Sequence, residues 1–317
     1  MQIRFGYVAM ALNIMEGSPN KTVTVTNLLK IAASADRVNR LRRLTRENLA
    51  NQLRVLKYNA AHDIHVFRFT SKLIPLATHP EAAGWDYTSE FADELKEIGD
   101  SARKHDMRVS AHPDHFTLLN SPDEKVIAAS IEDLAYHARV FDAMGFGNEA
   151  KLVVHVGGAY KSKDKALDRF CDTFQLLQAN IKDRLIIEND DKSYTARDVL
   201  TLCQRIAAPM VLDVHHHYCC NEGDELAGLW PDIAATWQGG TPKIHMSSSK
   251  EGPNVRAHAD YINADEFMAF VHLAKDLNQD FDVMLEAKQK DQAVHQLMRD
   301  LEATGEVEVV DEATIAY

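Results

Sequence analysis

The sequence predicts a single-domain (β/α)8 barrel, an α/β TIM barrel with a metal site at the C-terminal mouth of its strands. Two observations point to it. Short apolar runs of strand length alternate with stretches of helical period along the whole chain, eight of each. Six of those runs finish on His, Glu or Asp: VSAHPDH (109–115), LVVHVGG (152–158), LIIEND (185–190), VLDVHHH (211–217), KIHMS (243–247) and VMLEAK (283–288). A buried strand has no reason to end on an imidazole or carboxylate unless something at that end of the sheet binds it. A doubly wound sheet also alternates strand and helix, but it gathers six strand ends round one centre less naturally.

The elements follow in order. IRFGYV (3–8) opens as a strand, and residues 9–44 form a long excursion of the kind that lies over a barrel mouth. Thr45, with Asn48 after it, starts a helix near 45–59, and IHVFRF (64–69) is the second strand. Thr88 caps a helix over 88–105 before the strand at 108–112, and Ser121-Pro122-Asp123 introduces the helix at 123–144. Strands at 151–156, 184–189, 209–214 and 242–247 then alternate with helices at 164–180, 195–206 and 225–237. Asn263 and Asp265 start the helix at 265–276, followed by a strand at 282–287 and a helix at 289–303. No Pro/Gly/Ser linker breaks the chain, so residues 1–303 are assigned to the barrel. The tail 304–317 has no evident place in it and is expected to pack over one end.

Composition bounds the partners. At 45% hydrophobic and 26% charged the chain is an ordinary globular one, with no apolar run near the length of a membrane span. The start MQIRFGYV enters a strand directly, without a signal peptide. Cys171, Cys203, Cys219 and Cys220 show no CxxC spacing and read as reduced thiols of a cytoplasmic protein, with metal ligation the lesser reading. The net charge of −12 argues mildly against nucleic acid, although a metal can supply positive charge locally. The basic run Arg37, Arg40, Arg42, Arg43, Arg46, Arg54 and Lys57 reads first as a solvated helix face.

His112, His155, Glu188, Asp213, His245 and Glu286 end six strands and would converge on one mouth. Mixed imidazole and carboxylate ligands suit zinc, manganese or iron better than calcium or magnesium alone, and there are enough for a multinuclear site. Metals about 3.5–4 Å apart across a carboxylate suit phosphoryl displacement. Each residue alone has a plainer explanation. A strand-end His is more often a hydrogen-bonded loop residue, and Glu188 or Glu286 could pair with Lys243 or Lys288. Six coincidences are harder to explain. In a continuing strand Asp213, His215 and His217 share a face; if the chain turns after Val214, His216 swings toward the metals instead. Lys243, two residues before His245, is either a salt-bridge partner or a carboxylated lysine acting as an anion. Gly157-Gly158 lets the backbone turn closely past the site. There is no Gly-x-Ser-x-Gly elbow for Ser110, Ser247, Ser248 or Ser249, and no Walker or Rossmann glycine pattern, so no nucleotide cofactor is expected.

GYVAMAL, SAHPDHFTLLNSP, VVHVGG, IENDD, LDVHHH, KIHMSS and LEAK, in this order over about residues 3–290, closely resemble the UV damage endonuclease family. That family is a relative of endonuclease IV among TIM-barrel metal enzymes. The resemblance implies a DNA repair enzyme that nicks damaged duplex DNA immediately 5′ of a UV photoproduct, leaving a 3′-hydroxyl and a 5′-phosphate. It implies up to three divalent ions, manganese by custom, with zinc or magnesium as substitutes. On the family pattern His112, His155 and Glu188 hold one ion; Glu188 bridges to a second shared with Asp213, His245 and Glu286. His216 and His258 hold the third, with Lys243 carboxylated as a bridge. Glu188, Lys243 and Glu286 carry the catalysis. The pair after the HPD segment, here His115 and Phe116, probes the duplex beside the lesion, although the family's better-known form is glutamine and tyrosine. A crosslinked dimer stacks and pairs poorly, so flipping it out costs less than flipping normal bases. Tyr7 is expected on the site floor. Arg68, Lys161, Lys163, Lys165, Lys250 and Arg256 are expected at phosphates. A monomer is the expected state. The competing expectations are an abasic-site endonuclease or a metal-dependent sugar isomerase on the same barrel, and a non-catalytic barrel with relic ligands.

Overall fold

A computed structural model describes residues 1–82 and 84–317. β1 (Gln2–Val8) leads through α1 (Val25–Leu29) and α2 (Ser34–Ala61) to β2 (Val66–Phe69). α3 (Tyr87–Glu90), α4 (Ala92–Lys104), β3 (Arg108–Ala111), α5 (Glu124–Ala143) and β4 (Lys151–His155) follow. Then come α6 (Lys163–Leu176), α7 (Ala179–Lys182), β5 (Leu185–Glu188), α8 (Ala196–Ile206), β6 (Met210–Asp213) and α9 (Val214–Cys219). α10 (Leu226–Ala235), β7 (Lys243–Met246), α11 (Ala264–Ala274), β8 (Phe281–Leu285), α12 (Lys290–Thr304), β9 (Glu308–Asp311) and β10 (Thr314–Ala316) complete the chain.

β1 to β8 are parallel and pair in sequence order, and β1 pairs with both β8 and β2, so the sheet closes into the eight-stranded barrel. All eight expected strands are present, within two residues at each end. Alternation along the strands separates two interiors. Ile3, Phe5, Tyr7, Val154, Ile187 and Leu212 face the helices in the main core. Inside the barrel, Val153, Ile186, Val211 and Trp237 form one small cluster and Val8, Val66 and Met284 another. Below them Asp282, fully buried, accepts Arg4 Nε at 2.7 Å and Arg108 Nη1 at 2.6 Å, which ties β8 to β1 and across to β3.

Two expectations change. The helix expected at 45–59 starts eleven residues earlier, at Ser34, so the excursion after β1 is itself partly helical. Its first turn lacks a side-chain cap on Ala33, which left no start signal to read. The tail 304–317 is a hairpin: β10 pairs antiparallel with Gln2–Arg4 of β1, while β2 pairs with Gly6–Val8 of the same edge. The basic run lies along α2 and is largely spent locally, with Arg37 on Glu81, Arg42 on Glu90 and Arg46 over the Phe91 ring.

Candidate metal centre

The side chains that end the strands meet around Glu188, the last residue of β5. His112 Nε2, just beyond β3, lies 3.1 Å from Glu188 Oε2, and His155 Nε2, at the end of β4, lies 3.5 Å from the same oxygen. His245 Nδ1 on β7 stands 2.7 Å from Glu188 Oε1 and 3.2 Å from Glu286 Oε1. Two sets of side chains place ligand atoms within 4.8 Å of one another: His112, His155 and Glu188, and Glu188, Asp213, His245 and Glu286. Glu188 belongs to both, as a bridging carboxylate must.

The chain turns after Asp213, and that turn selects among the three histidines. Asp213 Oδ1 accepts the His216 N–H at 2.7 Å as the cap of α9. His216 Nδ1 is thereby brought within 3.6 Å of Asp213 Oδ2 and 3.7 Å of Glu188 Oε1. His217 turns away, its Nε2 reaching the Asp224 carbonyl at 3.1 Å, while His215, its Nε2 3.8 Å from Cys219 Sγ, packs edge-on against the His258 ring at 5.5 Å and makes no contact with the carboxylates among the described residues. Asn189, buried and unremarked in the sequence, fixes the corner. Its Nδ2 donates to the Asp213 carbonyl and its Oδ1 accepts the Asp213 N–H, both at 2.9 Å, and its own carbonyl sits 3.0 Å from His216 Nδ1. The available signal was its position directly after Glu188.

The electrostatics are those of a centre built around cations. Burial pushes the Asp213 carboxyl up to about 6, and the nearby Glu188 and Glu286 add to it against His216 and His245. Burial acts the same way on Glu188, but His245 and His155, with hydrogen bonds from His112 and His245, hold it well below the usual range. Glu286, equally buried, is held low by Arg68 and His245. His216 rises to about 9 despite burial because Asp213, Glu188 and Glu286 face it. Asp213 Oδ2, His155 Nδ1 and His245 Nε2 are buried without a hydrogen-bond partner. Orphaned buried donors and acceptors of this kind call for a ligand, and a mixed nitrogen and oxygen set fits a manganese- or zinc-type ion.

Several expected residues sit elsewhere. Lys243 is fully buried, but its Nζ bonds Ser110 Oγ at 3.2 Å, and no hydrogen bond joins it to His216 or His258 among the described residues. Neither is any carboxylate within salt-bridge range of it there. Burial, then Arg108, holds its amine well below the ordinary range, against Asp282 and helped by Arg68 and Arg4. His258 reaches the mouth from the β7–α11 loop, its Nδ1 2.9 Å from the Glu286 carbonyl and its ring 6.1 Å from that of His216. With His216 it makes a pair, not a three-residue set.

Tyr7 is not on the site floor. It is fully buried on the helix-facing side of β1, its hydroxyl 2.5 Å from Asn59 Oδ1 and its ring edge-on to Phe67. Arg68 turns inward onto Glu286 Oε1 at 2.5 Å and is not free for a phosphate. Lys163 is paired with Asp198 and Glu222. His115 and Phe116 do project from the mouth, Phe116 at 57% exposure; Lys161, Lys250 and Arg256 are exposed on loops at that end, and Lys165 is exposed in the first turn of α6. Arg256 Nε lies 3.8 Å from Asp191 Oδ2. The loop that carries His115 and Phe116 is anchored by Thr117 Oγ1 to Asp133 Oδ2 at 2.5 Å and Ser71 Oγ to Asp114 Oδ1 at 3.2 Å.

Comparison with known proteins agrees with this geometry. A family model described as UV-endonuclease UvdE matches residues 3–317. The UV DNA damage endonuclease of Halalkalibacterium halodurans is 40% identical over 320 residues, covering 100% of this chain and 99% of the relative. That of Bacillus cereus is 40% identical over 319 residues, covering 100% of both. The crystal structure of SacUVDE superposes with a TM-score of 0.85 at 31% identity, over 96% of this chain and 99% of the other. An Escherichia coli 3-keto-D-glucoside 4-epimerase shares the fold alone, at 15% identity and a TM-score of 0.53 over 80% of this chain and 93% of the other.

Proposed function

The chain belongs to the UV-endonuclease UvdE family, DNA repair endonucleases, and from that premise we propose that it nicks damaged double-stranded DNA immediately 5′ of cyclobutane dimers, 6-4 photoproducts and other distorting lesions. The observation that supports this most is the pair of ligand sets sharing Glu188. Divalent ions there, manganese first and zinc or magnesium as substitutes, would supply a water nucleophile at neutral pH and positive charge opposite the departing oxygen. Incision breaks the P–O3′ bond. The oxygen of water joins phosphorus and a proton goes to the 3′ oxygen, which leaves a 3′-hydroxyl and a 5′-phosphate.

The protein's share is to hold and orient. Asn189 fixes Asp213 and His216, and Arg68 keeps Glu286 ionised and turned into the mouth. His216 and His258 are the side chains left to hold a third ion. Lys243, a buried amine in the field of Arg108, Arg68 and Arg4, is suited to carboxylation, which would replace a misplaced cation by an anion. Phe116 enters the duplex as an apolar wedge with His115 beside it, while Lys161, Lys250 and Arg256 meet phosphates. Tyr7 drops out of that surface. The protein acts as a monomer in the cytoplasm, a setting its four free cysteines suit, and among the described residues no helix is long and apolar enough to cross a membrane.

The test uses manganese and three labelled duplexes carrying one cyclobutane dimer, one abasic site, or no damage. Cleavage just 5′ of the dimer is expected. Cleavage of the abasic duplex alone would assign an abasic-site endonuclease instead, and no cleavage by metal-loaded protein would direct the search to sugar substrates.

A further inference from the structure

The loop after β4 holds two consecutive non-glycine residues in the left-handed region, Tyr160 at φ 45° and Lys161 at φ 70°. Each such residue costs about 1–2 kcal/mol, so its surroundings must hold it there. Gly157, at φ 107°, turns the chain away from His155. The Gly158 carbonyl accepts Asn120 Nδ2 at 2.8 Å and the Tyr194 hydroxyl at 3.1 Å, and the Ser162 N–H closes the turn on the Ala159 carbonyl at 2.9 Å.

The Tyr160 ring is supported from within. It lies over Gly158, where an added Cβ would come 3.0 Å from it, and the Arg169 guanidinium stands 5.4 Å from its centroid. Arg169 is itself fixed through Nε on the Asn120 carbonyl at 2.8 Å. Yet the ring is 39% exposed, with Lys161 exposed beside it. Its hydroxyl makes no hydrogen bond among the described residues. A ring held this firmly on a strained backbone and left open to solvent contributes little to the core.

The neighbouring loop carries Phe116. A Cβ at Gly157 would lie 2.5 Å from Asn120 Oδ1 and 3.0 Å from Leu118 Cδ2, so the loops after β3 and β4 are packed directly together. The strands beneath them pair with each other and lead into His112 and His155. Two exposed aromatic rings therefore rise on interlocked loops that follow neighbouring strands of the metal centre.

We infer that Tyr160 is a stacking platform for a nucleobase of the lesion-bearing duplex, with Lys161 against the adjoining phosphate. The inference rests on the DNA reading above. A wedge that enters a duplex leaves a base without a neighbour, and every base offers a π-face that an aromatic ring can cover without reading sequence. The Arg169 cation and Gly158 hold the ring, and Tyr160 still keeps 39% of its surface exposed.

The test is single-turnover cleavage by manganese-loaded protein of a dimer duplex with 2-aminopurine opposite the lesion. Stacking of this kind contributes about 1–3 kcal/mol per base, so loss of the ring shifts half-saturation by about 5- to 150-fold. Tyr160→Asn, a residue at ease with positive φ, is expected to show that shift, a maximal rate within about twofold of wild type, and brighter 2-aminopurine. Tyr160→Phe should match wild type. Unchanged metal content and melting temperature confirm that both variants fold. Wild-type saturation and quenching in Tyr160→Asn overturn the inference, as does an equal loss in Tyr160→Phe. A wild type that does not prefer the dimer duplex overturns the DNA reading first, and this inference with it.

Discussion

Glu188 Oε1 and His245 Nδ1 stand 2.7 Å apart at the centre of the barrel mouth, and neither side chain reaches solvent. A carboxylate shared by both ligand sets cannot be neutralised without loosening both. Glu188→Gln is expected to lower cleavage of a dimer duplex by at least about a hundredfold, the scale seen when even outer partners of a metal are removed. Metal analysis of the purified variant should show less bound manganese. Full loading and activity would remove Glu188 from the centre.

Lys243 tests the chemistry of the buried amine. Its amine is buried in a positive field that holds its pKa well below the ordinary range, and it is hydrogen-bonded to Ser110 and to no acid among the described residues. Intact-mass measurement at mild pH is expected to show a gain of one CO2 that disappears on acidification and is absent from Lys243→Met. An unmodified mass under bicarbonate would leave the lysine a plain amine.

Phe116 projects from an anchored loop and covers no core, so Phe116→Ala should leave the melting temperature unchanged. Loss of an inserted ring is expected to cost about 1–3 kcal/mol of binding, read as roughly a 5- to 150-fold rise in the dissociation constant for a dimer duplex. Affinity for undamaged duplex should move little. Equal losses on both duplexes would mark the ring as a general contact.

His137 on α5 makes stability depend on pH. Burial, with a smaller contribution from His112, lowers its imidazole from 6.5 to about 3, so the folded protein keeps it neutral where the unfolded chain takes up a proton. The stability it contributes is complete above pH 6.5 and declines as pH falls toward 3, by about 2 kcal/mol at pH 5 relative to pH 8. Denaturant titrations of wild type and His137→Leu at both pH values should differ by that amount. A pH-independent difference would show that His137 titrates alike in both states.

The strands were legible because a barrel buries them on both faces, and their polar ends were legible for the same reason. Desolvating Glu188 after Leu185-Ile186-Ile187 demands a partner that the one-dimensional pattern already advertises. His216 was not separable from its neighbours, since the choice depends on a turn that Asp213 and Asn189 make together. His258 comes from an irregular loop with no period to read. Tyr7 was misplaced by attending to the strand's end instead of its alternation: Ile3, Phe5 and Tyr7 share the helix-facing side. Arg68 was misplaced because charge suggests a surface, whereas a carboxylate cluster inside the mouth attracts the same guanidinium inward.

Closure of the barrel rests on an absence. At Gly6 a methyl group would lie 1.9 Å from the Val66 carbonyl oxygen, on the three-residue stretch where β1 meets β2 among the described residues. Below it the hairpin already occupies the strand's edge, so β1 cannot shift down to make room. Arg68 follows on the same short strand and reaches across to Glu286. One hydrogen atom at residue 6 thus sets the tolerance to which the catalytic mouth is assembled. Variation can spread through the rim loops, while this position has no substitute to explore.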